Sequence, residues 1–205
     1  MGCSRALAFL MIAGLQAADL AGHYYLRGVR EVGSELLLRP DGRFDFALAY
    51  GAADYEAHGT WRAVDGAVLL NSDPAAAKPL RLIRSAAKKD EGIRVWILAP
   101  KGQPVSNVDV LLETGEGAAR GSTSRDGSAT LVAAKPPKAV RIEIPVYQFQ
   151  SELIPVNPAH GEFWFEIDGA AITRMEFKNE RLTVEDGALV MRRMGAEHPV
   201  RYVRQ

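Results

Sequence analysis

The stretch PDGRFDFALAYG, residues 40–51, decides the fold class of this chain. Asp41-Gly42 tolerates the positive φ that a tight hairpin turn requires, and the residues that follow alternate between apolar and small or charged side chains. One face of this segment carries three aromatic residues, each of which buries about 150–250 Å² when fully covered. The segment therefore predicts a strand whose aromatic face packs against a core or a ligand.

Five Asp-Gly pairs separate stretches of alternating apolar residues in this chain. Because such a pair between alternating stretches indicates a hairpin, together they predict antiparallel β structure over most of the chain. Their expected place in turns also argues against these aspartates as catalytic acids. The pairs are Asp41-Gly42, Asp65-Gly66, Asp126-Gly127, Asp168-Gly169 and Asp186-Gly187.

The composition of the 205-residue chain is typical of a soluble globular protein, with 47% hydrophobic and 24% charged residues. Lys+Arg and Asp+Glu are equal at 25 each, so the chain has no overall excess of positive charge. Proteins that bind nucleic acid or anionic membranes usually carry such an excess. We therefore expect no nucleic-acid partner.

The N-terminus reads as a secretory signal peptide over residues 1–17, which is expected to be helical. A short basic segment precedes the apolar run 6–15, which is too short to cross a bilayer of about 30 Å. The only cysteine, Cys3, precedes this run, whereas a lipoprotein would carry its cysteine after it. We expect a periplasmic or secreted bacterial protein without a membrane span after cleavage. The alternative is a buried N-terminal helix.

Shifts in composition divide the rest of the chain into three strand-rich segments. Residues 18–86 are expected to form an N-terminal meander, 93–150 a β-sandwich, and 158–205 a C-terminal meander that packs with 18–86. The charged stretch SAAKKDEG, residues 85–92, marks the first boundary. The expected fold is all-β, with an antiparallel meander or barrel from the outer segments and an immunoglobulin-like sandwich between them. Alternation alone does not decide whether the outer meanders close into one barrel.

Residues 102–131 carry the pattern G-x-P-V-x-x-V-x-V…T-x-x-G…G-x-T-x-x-D-G-x-A-x-L. This pattern resembles carboxypeptidase-regulatory-like and related transthyretin-like β-sandwich domains. The resemblance implies an accessory sandwich that mediates contacts and carries no catalytic residues. Within it, residues 115–121 are expected to form a flexible turn and Asp126-Gly127 to close a hairpin, after which Ala129 and Leu131 pack inward.

The N-terminal meander carries a second resemblance. Residues 24–70, with EVGSELLLRPDGRF and LAYGAADYEAHGTW, are similar to exported bacterial proteins without an assigned function. Their strand rhythm, together with the final Arg-Tyr-Val-Arg strand, resembles small lipocalin-like barrels. That likeness implies a barrel with room for a ligand.

Histidine and nucleophile patterns give little support to an enzyme. His23, His58, His160 and His198 are dispersed, and the best local pair, His160 with Glu162, is half a metal site. The chain has no Gly-x-Ser-x-Gly motif, and no cysteine remains after signal cleavage. We therefore expect no catalytic residues, no metal and no cofactor. The alternative is a hydrolase acting on the cell envelope with His58 or His160.

Aromatic residues are the most suggestive feature for function. In the first meander they either form the core or line a barrel mouth formed by Tyr25, Tyr50 and Trp61, with Arg27 as a polar group. In the C-terminal segment, Phe163-Trp164-Phe165 places aromatic rings on both faces of one strand.

Taken together, these patterns favour a non-enzymatic binding or protein-interaction module. Its partner is expected to be an envelope protein or a small apolar ligand at the aromatic face. A purely structural accessory domain is a further alternative, and the sequence does not indicate an oligomeric state.

Overall fold

A computed structural model describes residues 17–75, 78–87, 92–192 and 198–205, and it confirms the all-β fold class. The predicted signal peptide lies outside the described residues except for Ala17. The elements are α1 (Ala17–Leu20), β1 (Gly22–Arg27), β2 (Val32–Leu38), β3 (Arg43–Tyr50), β4 (Ala53–Val64), β5 (Ala67–Ser72), β6 (Leu80–Ala87), β7 (Ile93–Ala99), β8 (Gln103–Pro104), β9 (Asp109–Thr114), β10 (Gly117–Ser122), β11 (Ser128–Leu131), β12 (Pro137–Ile144), β13 (Phe149–Gln150), β14 (Ile154–Pro155), β15 (His160–Ile167), α2 (Gly169–Ile172), β16 (Glu180–Glu185), β17 (Ala188–Met191) and β18 (Val200–Arg204).

Eight strands form one closed antiparallel barrel. Its order is β1-β18-β17-β16-β5-β4-β3-β2, and β2 pairs with β1 to complete the circle. The first five strands and the last three thus belong to the same barrel, whereas Pro74–Arg174, together with the short stretch Ala52–Tyr55, forms a second compact unit. Closure therefore follows from strands at both ends of the sequence.

Inward-facing side chains fill the barrel with an apolar core. Phe44 and Phe46 of β3 are almost completely buried, and both contact Phe177, with ring centroids 5.8 Å and 5.1 Å apart. Phe177 lies on the segment between α2 and β16, outside the strands. The aromatic face predicted at residues 40–51 thus belongs to the core over its first part.

The residues before β1 are anchored to the barrel by hydrogen bonds and burial. Leu20 is buried in the barrel core. The guanidinium of Arg204 donates to the carbonyl oxygens of Asp19 at 3.0 Å and Ala21 at 2.6 Å, and the Tyr24 hydroxyl donates to the Leu20 carbonyl at 2.8 Å. Because the last carbonyls of a helix lack partners within it, these bonds satisfy groups that α1 leaves open.

The second unit is a β-sandwich of two sheets around its own apolar core. One sheet has the order β10-β9-β12-β13, with β14 also paired to β12. The other has the order β11-β7-β15-β6, with β8 also paired to β7. In the second sheet β7 and β15 run parallel, although all its other pairs are antiparallel.

The sandwich contains two strands that the sequence analysis grouped with the meanders at 18–86 and 158–205. Strands β6 and β15 pair with each other, and β15 pairs with β7. Of residues 115–121, expected to be a flexible turn, only Gly115 and Glu116 form a turn, and the rest belong to β10, which pairs with β9. Period-two alternation identifies a strand but does not show which strand it pairs with. The pairing of β6 and β15 within the sandwich therefore could not be predicted from the sequence.

The five Asp-Gly pairs have three different roles. The pairs at 41–42, 65–66 and 186–187 lie in hairpins of the barrel, as predicted. Asp126-Gly127 forms a tight turn, but it joins β10 of one sheet to β11 of the other and closes no hairpin. Asp168 instead caps α2, because its carboxylate accepts a hydrogen bond from the backbone N–H of Ala170 at 3.1 Å. Three of the five Asp-Gly pairs thus mark hairpins of the barrel, and the other two mark a turn between sheets and the start of a helix.

We expect acid to weaken the sandwich between about pH 4 and pH 2 through Asp126. Hydrogen bonds from Ser124 and Ser128 lower the pKa of its carboxyl from 3.8 to about 2. A carboxyl with a lowered pKa in the folded state stabilises the fold above its unfolded pKa, and this stabilisation is lost as the pH falls through the folded pKa. Urea unfolding monitored by Trp96 and Trp164 fluorescence in a Trp61→Phe background should therefore depend less on pH over this interval in Asp126→Asn. An equal pH dependence in both proteins would contradict this role.

Candidate binding surface

The four residues predicted to line a ligand site lie in different environments. Trp61 is buried in the barrel core, and its indole Nε1–H donates to the carbonyl oxygen of Arg39 at 2.8 Å. Tyr50, at the end of β3, is 61% exposed. Tyr25 and Arg27 alternate along β1 with the buried Tyr24, so they point out of the barrel. The structure therefore does not bring the four side chains together at one barrel mouth.

Tyr25 instead joins a short polar chain on the outer barrel surface. Its hydroxyl lies 3.0 Å from Nδ1 of His23, and Nε2 of His23 lies 3.0 Å from a Glu35 carboxylate oxygen. Because the carboxylate can only accept, Nε2 carries a proton, and in the neutral ring Nδ1 therefore accepts from the Tyr25 hydroxyl. The side chains of His23 and Glu35 are 38% and 47% exposed, so solvent reaches this chain directly.

His58 belongs to an ion-pair network on the outer faces of β3 and β4. Its Nδ1 lies 2.8 Å from one oxygen of Asp45, whose other oxygen pairs with Arg39, and its Nε2 lies 3.8 Å from Glu56. Partial burial raises the pKa of Asp45, but the hydrogen bonds from His58 and Arg39 and the charges of these two side chains together lower it by more. Within the part of the chain that the structure describes, no three His, Cys, Asp or Glu side chains are grouped to hold a metal ion.

His160 has the most enzyme-like surroundings, because its Nδ1 lies 2.8 Å from Ser85 Oγ beside a cleft of about 480 Å³. Asn157 determines the direction of this hydrogen bond. Its Oδ1 accepts from the backbone N–H of Ala159, so its amide nitrogen faces Nε2 of His160 at 3.4 Å. Nε2 therefore accepts and Nδ1 carries the proton. In this tautomer the ring donates to Ser85 and does not activate it as a nucleophile.

The outward face of the sheet β11-β7-β15-β6 carries two tryptophans and two arginines in one stack. Trp96 and Trp164 are register partners on parallel strands, and their rings stack with centroids 4.4 Å apart and planes 2° from parallel. The Arg84 guanidinium lies 4.4 Å from the centroid of Trp164, and that of Arg94 lies 5.5 Å from the centroid of Trp96. We call these four residues the Arg–Trp stack.

The stack is additional to the core of the sandwich. Phe163 and Phe165, on either side of Trp164 in β15, are completely buried among the core residues of the unit. Trp164 therefore points to the opposite face of the sheet, where both tryptophans are only partly buried. Large aromatic side chains that a core does not require are typical of contact surfaces.

The two arginines of β6 near the stack, Arg81 and Arg84, differ in whether a carboxylate binds them. Arg81 donates to a Glu166 carboxylate oxygen from Nε at 3.0 Å and Nη2 at 2.5 Å. Arg84 is exposed, and no carboxylate or hydrogen-bond acceptor among the described residues engages its guanidinium. The stack therefore presents a cation with open N–H donors beside an aromatic pair.

No family model matches the chain, and no curated protein or solved structure matches it either. No helix in the described ranges is long and apolar enough to cross a membrane. The function of this chain therefore has to be inferred from the positions and contacts of its side chains. The sequence indicated an outward Trp164, but it did not indicate Trp96, Arg84 or Arg94, because only the parallel pairing of β7 with β15 brings the two tryptophans together.

Proposed function

We propose that the chain is a non-enzymatic protein-interaction module of the bacterial envelope. The Arg–Trp stack carries this proposal. Tryptophan and arginine are the residues that contribute most binding energy at protein interfaces, and here four of them lie side by side on one solvent-facing sheet. The predicted signal peptide supports location in the periplasm or outside the cell.

A protein partner is favoured over a small apolar ligand because of the barrel core. Phe44, Phe46 and Phe177 pack against one another inside the barrel, where a lipocalin-like protein would hold its ligand. An envelope hydrolase is not favoured, because with Asn157 donating to Nε2 of His160, the Nδ1–H of this ring donates to Ser85 Oγ and cannot accept its proton.

Site-specific photo-crosslinking in intact cells tests the proposed surface. A crosslinking amino acid at Ile83, which is 45% exposed and adjacent to Arg84 in β6, should give an adduct with an envelope protein. The same amino acid at Tyr50, 61% exposed on the barrel, should not give that adduct.

A second substitution separates binding by the stack from chance proximity. Trp164→Ala removes the ring that lies between Trp96 and Arg84, so it should abolish the adduct formed at position 83. Circular dichroism of each variant checks that the fold is retained. An adduct that persists in folded Trp164→Ala, or one that forms equally from position 50, would contradict the proposal.

A further inference from the structure

We infer that the Arg–Trp stack receives a carboxylate-bearing segment of its protein partner and that Arg84 binds the carboxylate. This inference rests on the proposed function and adds the chemistry of the partner. A guanidinium presents five N–H donors in a planar fork that matches a carboxylate. At Arg84 the aromatic contact engages the cation, while its N–H donors have no acceptor among the described residues.

Arg84 is the best placed of the arginines on this face. Arg81 already makes two hydrogen bonds to Glu166, and Arg94 is not free of partners either. Binding a carboxylate at Arg84 therefore breaks no existing ion pair. Its position over the Trp164 ring also restricts the side chain before the partner arrives, which reduces the entropy lost on binding.

The surroundings of Arg84 favour a polypeptide segment over a small inorganic anion. Ile83 precedes Arg84 at a bulge between β6 and β15, and its side chain is 45% exposed. The partly exposed edges of Trp164 and Trp96 lie on the other side. A segment that alternates acidic and apolar side chains would place a carboxylate at Arg84 and apolar side chains against Ile83 and the tryptophan edges.

A titration monitored by NMR tests the inference on the full chain. The probe is a short blocked peptide that alternates glutamate with leucine, and the readout is the three indole N–H signals. The signals of Trp96 and Trp164 should shift, while that of Trp61, buried in the barrel core, should stay as an internal reference. Arg84→Gln should weaken peptide binding about fivefold or more. In the parent protein, raising the salt from about 50 to about 500 mM should also weaken peptide binding.

Three controls test whether the peptide is recognised through its carboxylates at Arg84. Arg62→Gln, which removes an exposed arginine of the barrel strand β4, should leave the affinity unchanged. A peptide with glutamine in place of glutamate should not bind, and inorganic phosphate should not shift the same signals at similar concentration. Equal binding by the glutamine peptide, by phosphate, or by Arg84→Gln would overturn the carboxylate assignment.

Failure of this inference is distinguishable from failure of the proposed function. If the peptide does not bind but the adduct at position 83 forms and survives in Arg84→Glu, the surface binds a partner of different chemistry and the inference is wrong. If neither the peptide nor the adduct is observed, both statements are wrong. Loss of the adduct in Arg84→Glu together with peptide binding supports both.

Discussion

Replacing Gly59 by alanine will destabilise the barrel by about 3 kcal/mol or more. Gly59 is buried in β4, where it lies opposite Ser72 of β5. A Cβ atom at this position would lie 2.0 Å from the carbonyl oxygen of Asn71, 2.7 Å from Cα of Ser72 and 2.8 Å from Cε1 of Phe44. Two of these atoms belong to the backbone, so β4 and β5 must separate and lose ladder hydrogen bonds.

Urea unfolding monitored by Trp61 fluorescence measures this effect in the barrel alone. The chain has three tryptophans, and Trp96 and Trp164 belong to the sandwich, so Trp96→Phe and Trp164→Phe leave Trp61 as the only indole probe. A probe of one unit is required because a chain with two units need not unfold in a single step.

Gly33→Ala is the matched control for Gly59→Ala. Gly33 lies in β2 of the same barrel, and the nearest atom to its added Cβ is the side chain of Ala49 at 3.9 Å. Because that is an ordinary contact, this variant should keep the stability of the parent or gain up to about 1 kcal/mol. A loss of the same size in both variants would show that the cause is glycine replacement in strands generally and not the approach of β5.

Local alternation accounts for much of the fold that could be predicted. The period-two pattern at residues 40–51 correctly predicted β3 and the burial of Phe44 and Phe46. The hairpins at Asp65-Gly66 and Asp186-Gly187 follow from local chemistry too, because both residues of each pair adopt positive φ. These features depend on neighbours along the chain, so they are readable without tertiary information.

The features that the sequence did not predict depend on distant segments. Asp168-Gly169 has the same composition as the hairpin pairs, yet Asp168 caps α2 because the chain continues there into a helical turn. The Arg–Trp stack requires that β15 lie between β6 and β7, an order that no local pattern specifies. The predicted ligand residues failed to converge for a related reason: alternation does not tell which aromatic residues face the interior once the barrel closes.

Phe177→Ala will destabilise the barrel by about 3–5 kcal/mol, the range for truncation of a buried phenylalanine. The side chain is 1% exposed, and its ring contacts Phe46 edge-on, with centroids 5.1 Å apart, and Phe44 at 5.8 Å. Its backbone N–H also donates to Ser72 Oγ at 3.0 Å, and its carbonyl accepts from the Ser72 N–H at 2.9 Å. Because these bonds hold the backbone in place, the neighbouring rings cannot easily collapse into the space that alanine leaves.

The same Trp61 measurement distinguishes this effect from aromatic truncation in general. Tyr50→Ala removes a ring of similar size from the same barrel, but Tyr50 is 61% exposed, so its loss should change the free energy of unfolding by about 0.5 kcal/mol or less. Phe177→Leu, which keeps an apolar side chain, should recover part of the stability lost in Phe177→Ala. If Phe177→Ala were no less stable than Tyr50→Ala, the segment between α2 and β16 would not be part of the barrel core. A graded loss from leucine to alanine at position 177 would instead mean that this returning segment, and not the eight strands alone, completes the interior.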